Sequence, residues 1–152
     1  MMLTSTAFHD GAVVPRRFTC DGENLSPALQ WTCAPMDAKS FALLCDDPDA
    51  PAGTWRHWAV FDIPSGRSEL AEGAGRAEGF EDFRQGVNDF GEVGYGGPCP
   101  PRGHGPHRYR FRLIALNRAE LVLRPGATCK EVEQEAGKHL LAEAVLEGVY
   151  QR

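Results

Sequence analysis

The chain has 152 residues, 42% hydrophobic and 24% charged, which is the mixture of a foldable globular chain and excludes a disordered one. At roughly 100–200 residues per domain, this length makes one domain, 1–152, able to bury about two-thirds of its unfolded surface without disulfides. Sixteen Lys plus Arg against 21 Asp plus Glu leave a net charge of −5, so the electrostatic footprint of a general nucleic-acid binder is missing.

From the N-terminus, Met1–Pro15 lacks a basic start followed by an apolar stretch, so no secretory leader is expected. Ser40–Cys45 is a nearly continuous apolar run, as in a strand covered on both faces. It contains the longest uninterrupted apolar run, Phe41–Cys45, far short of the ~20 residues that cross a bilayer, and no membrane span is expected. Trp55–Ile63, rich in aromatic and β-branched residues and stopped by Pro64, pairs with it in a hairpin around Asp46–Thr54. Gly73–Pro106 is crowded with Gly and Pro and accommodates no long helix or central strand. A loop of this length inside a small domain is usually functional or mobile.

His107–Asn117 is the clearest strand. Arg108, Arg110 and Arg112 alternate with His107, Tyr109, Phe111 and Leu113, so one face is basic and one aromatic, with His107 inward and the arginines on a solvated face. Thr128 followed by Glu131 has the pattern of a capping box, and Val132, Ala136 and Leu140 recur at four-residue spacing. A helix is expected from Cys129 to about Leu141, then a closing strand. Cys20, Cys33, Cys45, Cys99 and Cys129 make neither an even disulfide framework nor a C-x-x-C pair. They read as small buried hydrophobes in a reducing, cytoplasmic setting.

Chemistry concentrates in three places: the acidic turn Asp46-Asp47-Pro48-Asp49-Ala50-Pro51, His57, and the loop Gly96–His107. A carboxylate within about 4–6 Å favours imidazolium, so Asp47 and Asp49 are candidates for orienting and charging a histidine. Against this stand ordinary turn chemistry for Asp before Pro, and ring nitrogens satisfied by neighbours for His57 and His107. Asp46 reads as a surface residue. His104 and His107, three apart, have the ligand types to hold a metal with Asp47 and Asp49, but Gly103 and Gly105 offer no rigid ligand platform, and neither metal nor other cofactor is expected. No P-loop, dinucleotide fingerprint or G-x-S-x-G elbow is present. A Cys99 nucleophile with His107 as base is a minor alternative.

The residues Asp47-Pro48-Asp49-Ala50-Pro51, Trp55, His57, Ile63-Pro64, Tyr95-Gly96-Gly97-Pro98 and His107-Arg108-Tyr109, in this order, resemble the two signature blocks of the phosphatidylethanolamine-binding protein (PEBP) or Raf-kinase-inhibitor-like family. Ser26–Trp31 and His139–Tyr150 resemble the N-terminal block and tail of its bacterial YbhB/YbcL branch. The resemblance implies a mainly β fold of two antiparallel sheets with one or two peripheral helices near the C-terminus. It also implies a small pocket at one end that takes phosphate or phosphorylated head groups, a cis Ala50–Pro51 bond and a homodimer. Carried over, the pocket lining is Asp47, Asp49, Trp55, His57, the backbone from Gly97 to Pro101, His107 and Tyr109.

The function expected from the sequence is non-enzymatic binding of a small phosphate-like anion, with a regulatory role as its accompanying reading and no protein partner specified. His57 and His107, protonated beside Asp47 and Asp49, would offset the carboxylate charge while loop N–H groups donate to the anion. The alternative is a small hydrolase using a His/Asp pocket, with or without a metal.

Overall fold

A computed structural model describes residues 1–76 and 81–152, so Gly79 of the glycine-rich stretch lies outside the described residues. In chain order the strands are β1 (Met2–Thr4), β2 (Leu29–Thr32), β3 (Ser40–Asp47), β4 (Trp55–Pro64), β5 (Glu69–Leu70), β6 (Arg84–Gln85), β7 (His107–Leu116) and β8 (Leu140–Tyr150). Among the described residues, one α-helix, α1 (Cys129–Gly137), and a 3-10 turn at Arg16–Phe18 complete the regular elements. Pairing is antiparallel throughout, in a three-stranded sheet β1-β2-β5 and a five-stranded sheet β6-β4-β3-β7-β8. The mainly β, two-sheet architecture expected from the sequence is the one observed.

Strand β3 is buried along its whole length because both faces of the large sheet are covered. Phe41, Leu43 and Cys45 join Trp58, Val60, Phe111 and Leu113 in a core that also contains Leu3, Leu29, Trp31 and Leu70 of the small sheet. Ala42 and Leu44 face the other way, into a smaller core with Ala59, Phe61 and Ile114, covered by Cys129, Val132 and Ala136 of α1. Period-two alternation thus divides one apolar strand between two cores. The helix begins where the capping pattern places it, with the Thr128 side chain accepting from Glu131 N, and it stops at Gly137 rather than near Leu141. Leu140 already belongs to β8, which pairs with β7 along nearly its full length. Among the described residues no helix is long and apolar enough to cross a membrane.

Two sequence expectations change here. Asp46 is not a surface residue: it is 2% exposed, and its carboxylate meets Arg110 at 2.8 Å and Arg112 at 2.9 Å. The arginine face is correspondingly not simply solvated, since Arg112 also meets Glu133 of α1 at 2.9 Å and Arg56 meets the same Glu133 at 2.8 Å. Alternation placed these arginines correctly on one face; the helix laid over that face turned them into a half-buried ion network. Removing one partner of a buried pair strands the others, so Asp46→Ala is expected to cost about 3 kcal/mol. Urea denaturation checks this, and an unchanged midpoint would show that water replaces the carboxylate without loss.

Candidate functional site

Strands β3 and β7 pair antiparallel with Asp46 opposite Arg110, so the end of β3 lies beside the start of β7. Asp46 turns toward α1, and Asp47, by alternation, toward the inter-sheet side. There Asp47 Oδ2 lies 2.7 Å from His107 Nδ1, and Asp47 Oδ1 accepts from Asp49 N at 2.8 Å. Both oxygens of this buried carboxylate are therefore met. His104 Nδ1 lies 2.6 Å from His107 Nε2, extending the chain to an exposed imidazole.

His57 reaches the same place through a β-bulge. Cys45 pairs with Trp58 and Asp46 with Arg56, so His57 is the extra residue of β4 in the β3–β4 ladder. Strict alternation would set His57 on the face opposite Trp58, and a bulge re-aims the inserted side chain. Its ring stands edge-on to Tyr109 at 5.3 Å between centroids and to Phe90 at 5.4 Å. His57 Nδ1 lies 2.6 Å from Gly96 O, while Gly96 N donates to His57 O at 3.0 Å. A carbonyl oxygen only accepts, so Nδ1 carries the hydrogen.

Burial, the largest influence, holds the His57 pKa below its usual value, against the opposing pulls of the Gly96 carbonyl and Asp47. His57 is consequently a neutral imidazole near neutral pH, not the imidazolium expected from the sequence, because desolvation outweighs the nearby carboxylate. Tyr109 is fully buried, and among the described residues its hydroxyl has no partner at hydrogen-bond geometry, although the Asp47 carboxylate lies near enough to act on it as an acceptor. Burial first, then the Asp47 charge, push its pKa well above the usual phenol value, so it remains a donor.

These groups surround a cavity of about 170 Å³ lined by six of the sequence-predicted residues, Asp47, Trp55, His57, Pro101, His107 and Tyr109. Ala50, Pro51, Cys99 and Pro100 add to the walls, as does Phe90, which sequence reasoning missed. Phe90 also packs edge-on against Trp55 at 5.5 Å. It is presented by a turn in which Asn88 Oδ1 accepts from Phe90 N at 3.0 Å and from Glu92 N at 3.2 Å. The Asn88-Asp89-Phe90-Gly91 run carries this turn signal, since Asn readily bonds backbone two residues on.

Asp49 and Gly97 are outside the lining. Asp49 is held chiefly by Arg108 rather than by a histidine: it receives Arg108 N at 2.9 Å and the Arg108 guanidinium at 2.9 and 3.0 Å, and the side-chain bond to Arg108 leads in lowering its pKa to about 2, with the His107 charge a lesser influence. Gly97 is packed so closely on the Phe18 carbonyl that no Cβ fits. Its N–H goes to Asn24 Oδ1 at 2.8 Å, and that of Gly96 to His57 O. Pro98, Pro100 and Pro101 have no N–H, so the expected row of loop donors reduces to Cys99 N among the described residues.

Three further expectations are corrected. Cys20 and Cys99 form a disulfide across 79 positions, with Cα atoms 5.4 Å apart; Cys33, Cys45 and Cys129 are free. Sequence spacing carried no hint of the pairing, which depends on the folded loops meeting. The bridge removes both the cysteine argument for a reducing compartment and Cys99 as a free nucleophile. Finally, the Ala50–Pro51 bond is trans. Gly53 N donates to Ala50 O at 3.1 Å, so Pro51 occupies the second position of a four-residue turn, which accepts trans proline.

A larger, open hollow of about 680 Å³ beside Lys39, Asp62 and Arg84 lacks this convergence: Arg84 and Asp62 pair with each other at 2.9 Å. Among the described residues no group of three His, Cys, Asp or Glu side chains is placed to hold a metal.

The fold and site define a two-sheet β protein with a small imidazole-, carboxylate- and aromatic-lined cavity at one end of the larger sheet. The family model for phosphatidylethanolamine-binding proteins matches residues 4–151, and the chain belongs to that family. It is 49% identical over 152 residues to a UPF0098 protein of Aquifex aeolicus, covering 100% of this chain and 89% of that one. A UPF0098 protein of Methanothermobacter thermautotrophicus is likewise 49% identical over 153 residues, covering 100% and 99%. The crystal structure of Escherichia coli YbcL, described as a member of the mammalian PEBP family, superimposes with a TM-score of 0.94 at 34% identity, covering 99% and 98% of the two chains. The carboxypeptidase Y inhibitor, at 21% identity and a TM-score of 0.56, shares the fold.

The disulfide closes a long loop and pins the Cys99–Pro101 wall to the N-terminal segment. Reducing it is expected to lower stability by about 2–4 kcal/mol, the usual range for a native bridge. Chemical denaturation with and without reductant measures this, and coincident curves would show that the bridge does not constrain the unfolded chain.

Proposed function

We propose that the cavity binds a small oxyanion, phosphate or a phosphorylated head group, without transforming it. The observation carrying this reading is the Tyr109 hydroxyl, buried in the cavity wall with no partner at hydrogen-bond geometry among the described residues and with the Asp47 carboxylate as the competitor for its hydrogen. A buried donor left unpaired costs about 1–3 kcal/mol, and a guest oxygen removes that cost. The volume of about 170 Å³ suits a phosphate-sized group. The Asp47 charge, which would repel an anion, is moderated by the bonds both its oxygens already accept from Asp49 N and His107. Trp55 and Phe90 at the mouth supply apolar walls for whatever the phosphate carries.

Calorimetric titration of the intact protein with inorganic phosphate tests the reading, together with Tyr109→Phe. A hydrogen bond to a charged group contributes about 1.5–3 kcal/mol, so the variant is expected to bind about tenfold more weakly or worse. Its thermal stability should be unchanged or slightly higher, since an unpartnered buried hydroxyl has been removed. Equal phosphate affinity in the two proteins would overturn the reading. Steady release of phosphate from a phosphomonoester would replace it by the hydrolase reading, with the Asp47–His107–His104 chain as the acid–base group. A homodimer belongs to the same proposal through the family resemblance. Light scattering should give twice the 16.6 kDa chain mass, and the single mass would exclude it.

A further inference from the structure

We infer that His57 makes the cavity selective for a protonated oxyanion: it offers a hydrogen-bond acceptor that favours a phosphate or phosphomonoester still carrying a P–OH over an unprotonated anion such as sulfate. The inference rests on the anion-binding reading above and refines which anion is taken. It begins with the tautomer. His57 Nδ1 lies 2.6 Å from the Gly96 carbonyl oxygen, which cannot donate, so Nδ1 bears the ring's hydrogen and Nε2 of the neutral ring has a lone pair. His57 is 3% exposed and lines the cavity, and Nε2 is its remaining nitrogen.

The groups facing His57 keep this arrangement. From β3 comes Asp47, from the turn after β6 Asp89 and Phe90, from the loop before β7 the Gly96 and Gly97 backbone and the disulfide-bonded Cys99, and from β7 His107 and Tyr109. Asp47 and Asp89 pull the imidazole toward protonation, and burial, the stronger influence, opposes them. Tyr109 stays a phenol through the neutral range, so the cavity presents a donor at Tyr109 and an acceptor at His57. A guest matches both only if it has an accepting oxygen and an O–H.

Phosphate monoanion and the monoanion of a phosphomonoester have both. Sulfate, of similar size and tetrahedral shape, has no proton near neutral pH and would set an oxygen lone pair against the Nε2 lone pair. Sites that hydrogen-bond a ligand hydroxyl reject analogues lacking it because a buried polar group is left unmatched. The Asp47 charge works in the same direction, since a dianion is repelled more than a monoanion.

The test compares inorganic phosphate with sulfate by calorimetry on the intact protein across a pH series. Phosphate is expected to bind at least about tenfold more tightly than sulfate near neutral pH, a difference of about 1.4 kcal/mol. Inorganic phosphate keeps a P–OH after its second ionisation, so its affinity should fall only through Asp47 repulsion as pH rises, whereas phenyl phosphate, which loses its last P–OH there, should lose affinity more steeply. The preference should narrow at acid pH, where His57 becomes protonated and turns from acceptor to donor. Equal affinities, or sulfate the tighter, would overturn the acceptor role while leaving oxyanion binding intact; binding of neither ion would overturn both. Long-range nitrogen–proton NMR on the unaltered protein reads the tautomer without relying on binding or on a variant that must fold. A non-protonated His57 Nε2 near neutral pH supports the inference, and a protonated Nε2 defeats it.

Discussion

A carboxylate withdrawn from water must have its charge met locally, and Asp47 meets that requirement with one backbone N–H and one imidazole. Satisfying it ties the turn after β3 to the first residue of β7 and thereby sets where the cavity can form. It also makes the β3–β7 register consequential. A slip of one residue would exchange the faces of Asp46 and Asp47, moving one carboxylate away from the arginines and the other away from His107. Two adjacent acidic residues thus have different roles because a strand sends successive side chains to opposite faces.

The walls added to this frame come from less regular structure. His57 enters through a bulge, Phe90 through a side-chain-capped turn, and Pro100 and Pro101 through a loop anchored by a disulfide. Most polar atoms in these segments are consumed in holding the segments together: Gly96 and Gly97 give their N–H groups to His57 O and Asn24 Oδ1, and Asp49 is occupied by Arg108. Among the described residues, the Tyr109 hydroxyl, with only the Asp47 carboxylate near it, and the second His57 nitrogen stand out as groups less committed to such structural work. Binding chemistry carried by loops on a rigid sheet is a common division of labour, and here the sheet contributes the buried pair and the loops the shape.

Period-two patterning made much of the large sheet legible. His107–Asn117 read correctly as one aromatic and one basic face, though α1 covers part of the basic face expected to be solvated, and the hairpin between Ser40–Cys45 and Trp55–Ile63 is present. The small sheet was not legible, because β1, β2 and β5 are two to four residues long and carry too few periods to stand above the loops. Asp47, His57 and His107 stood out as candidates from residue type and order, and Tyr109 entered the lining through the family resemblance. Phe90 was not, since an isolated aromatic in a glycine-rich stretch has no periodicity to announce its direction.

By itself the sequence determined the main strands, the capped helix and the set of ionisable side chains available to the cavity, because these depend on local patterning and composition. Tertiary structure decided their states. It buried Asp46 under α1, joined Cys20 to Cys99, gave Asp49 to Arg108 and desolvated His57 into a neutral, Nδ1-protonated ring. Each of those outcomes depends on which groups from distant parts of the chain come within a few ångströms and how much water they exclude, and neither quantity is written in the spacing of residues along the chain.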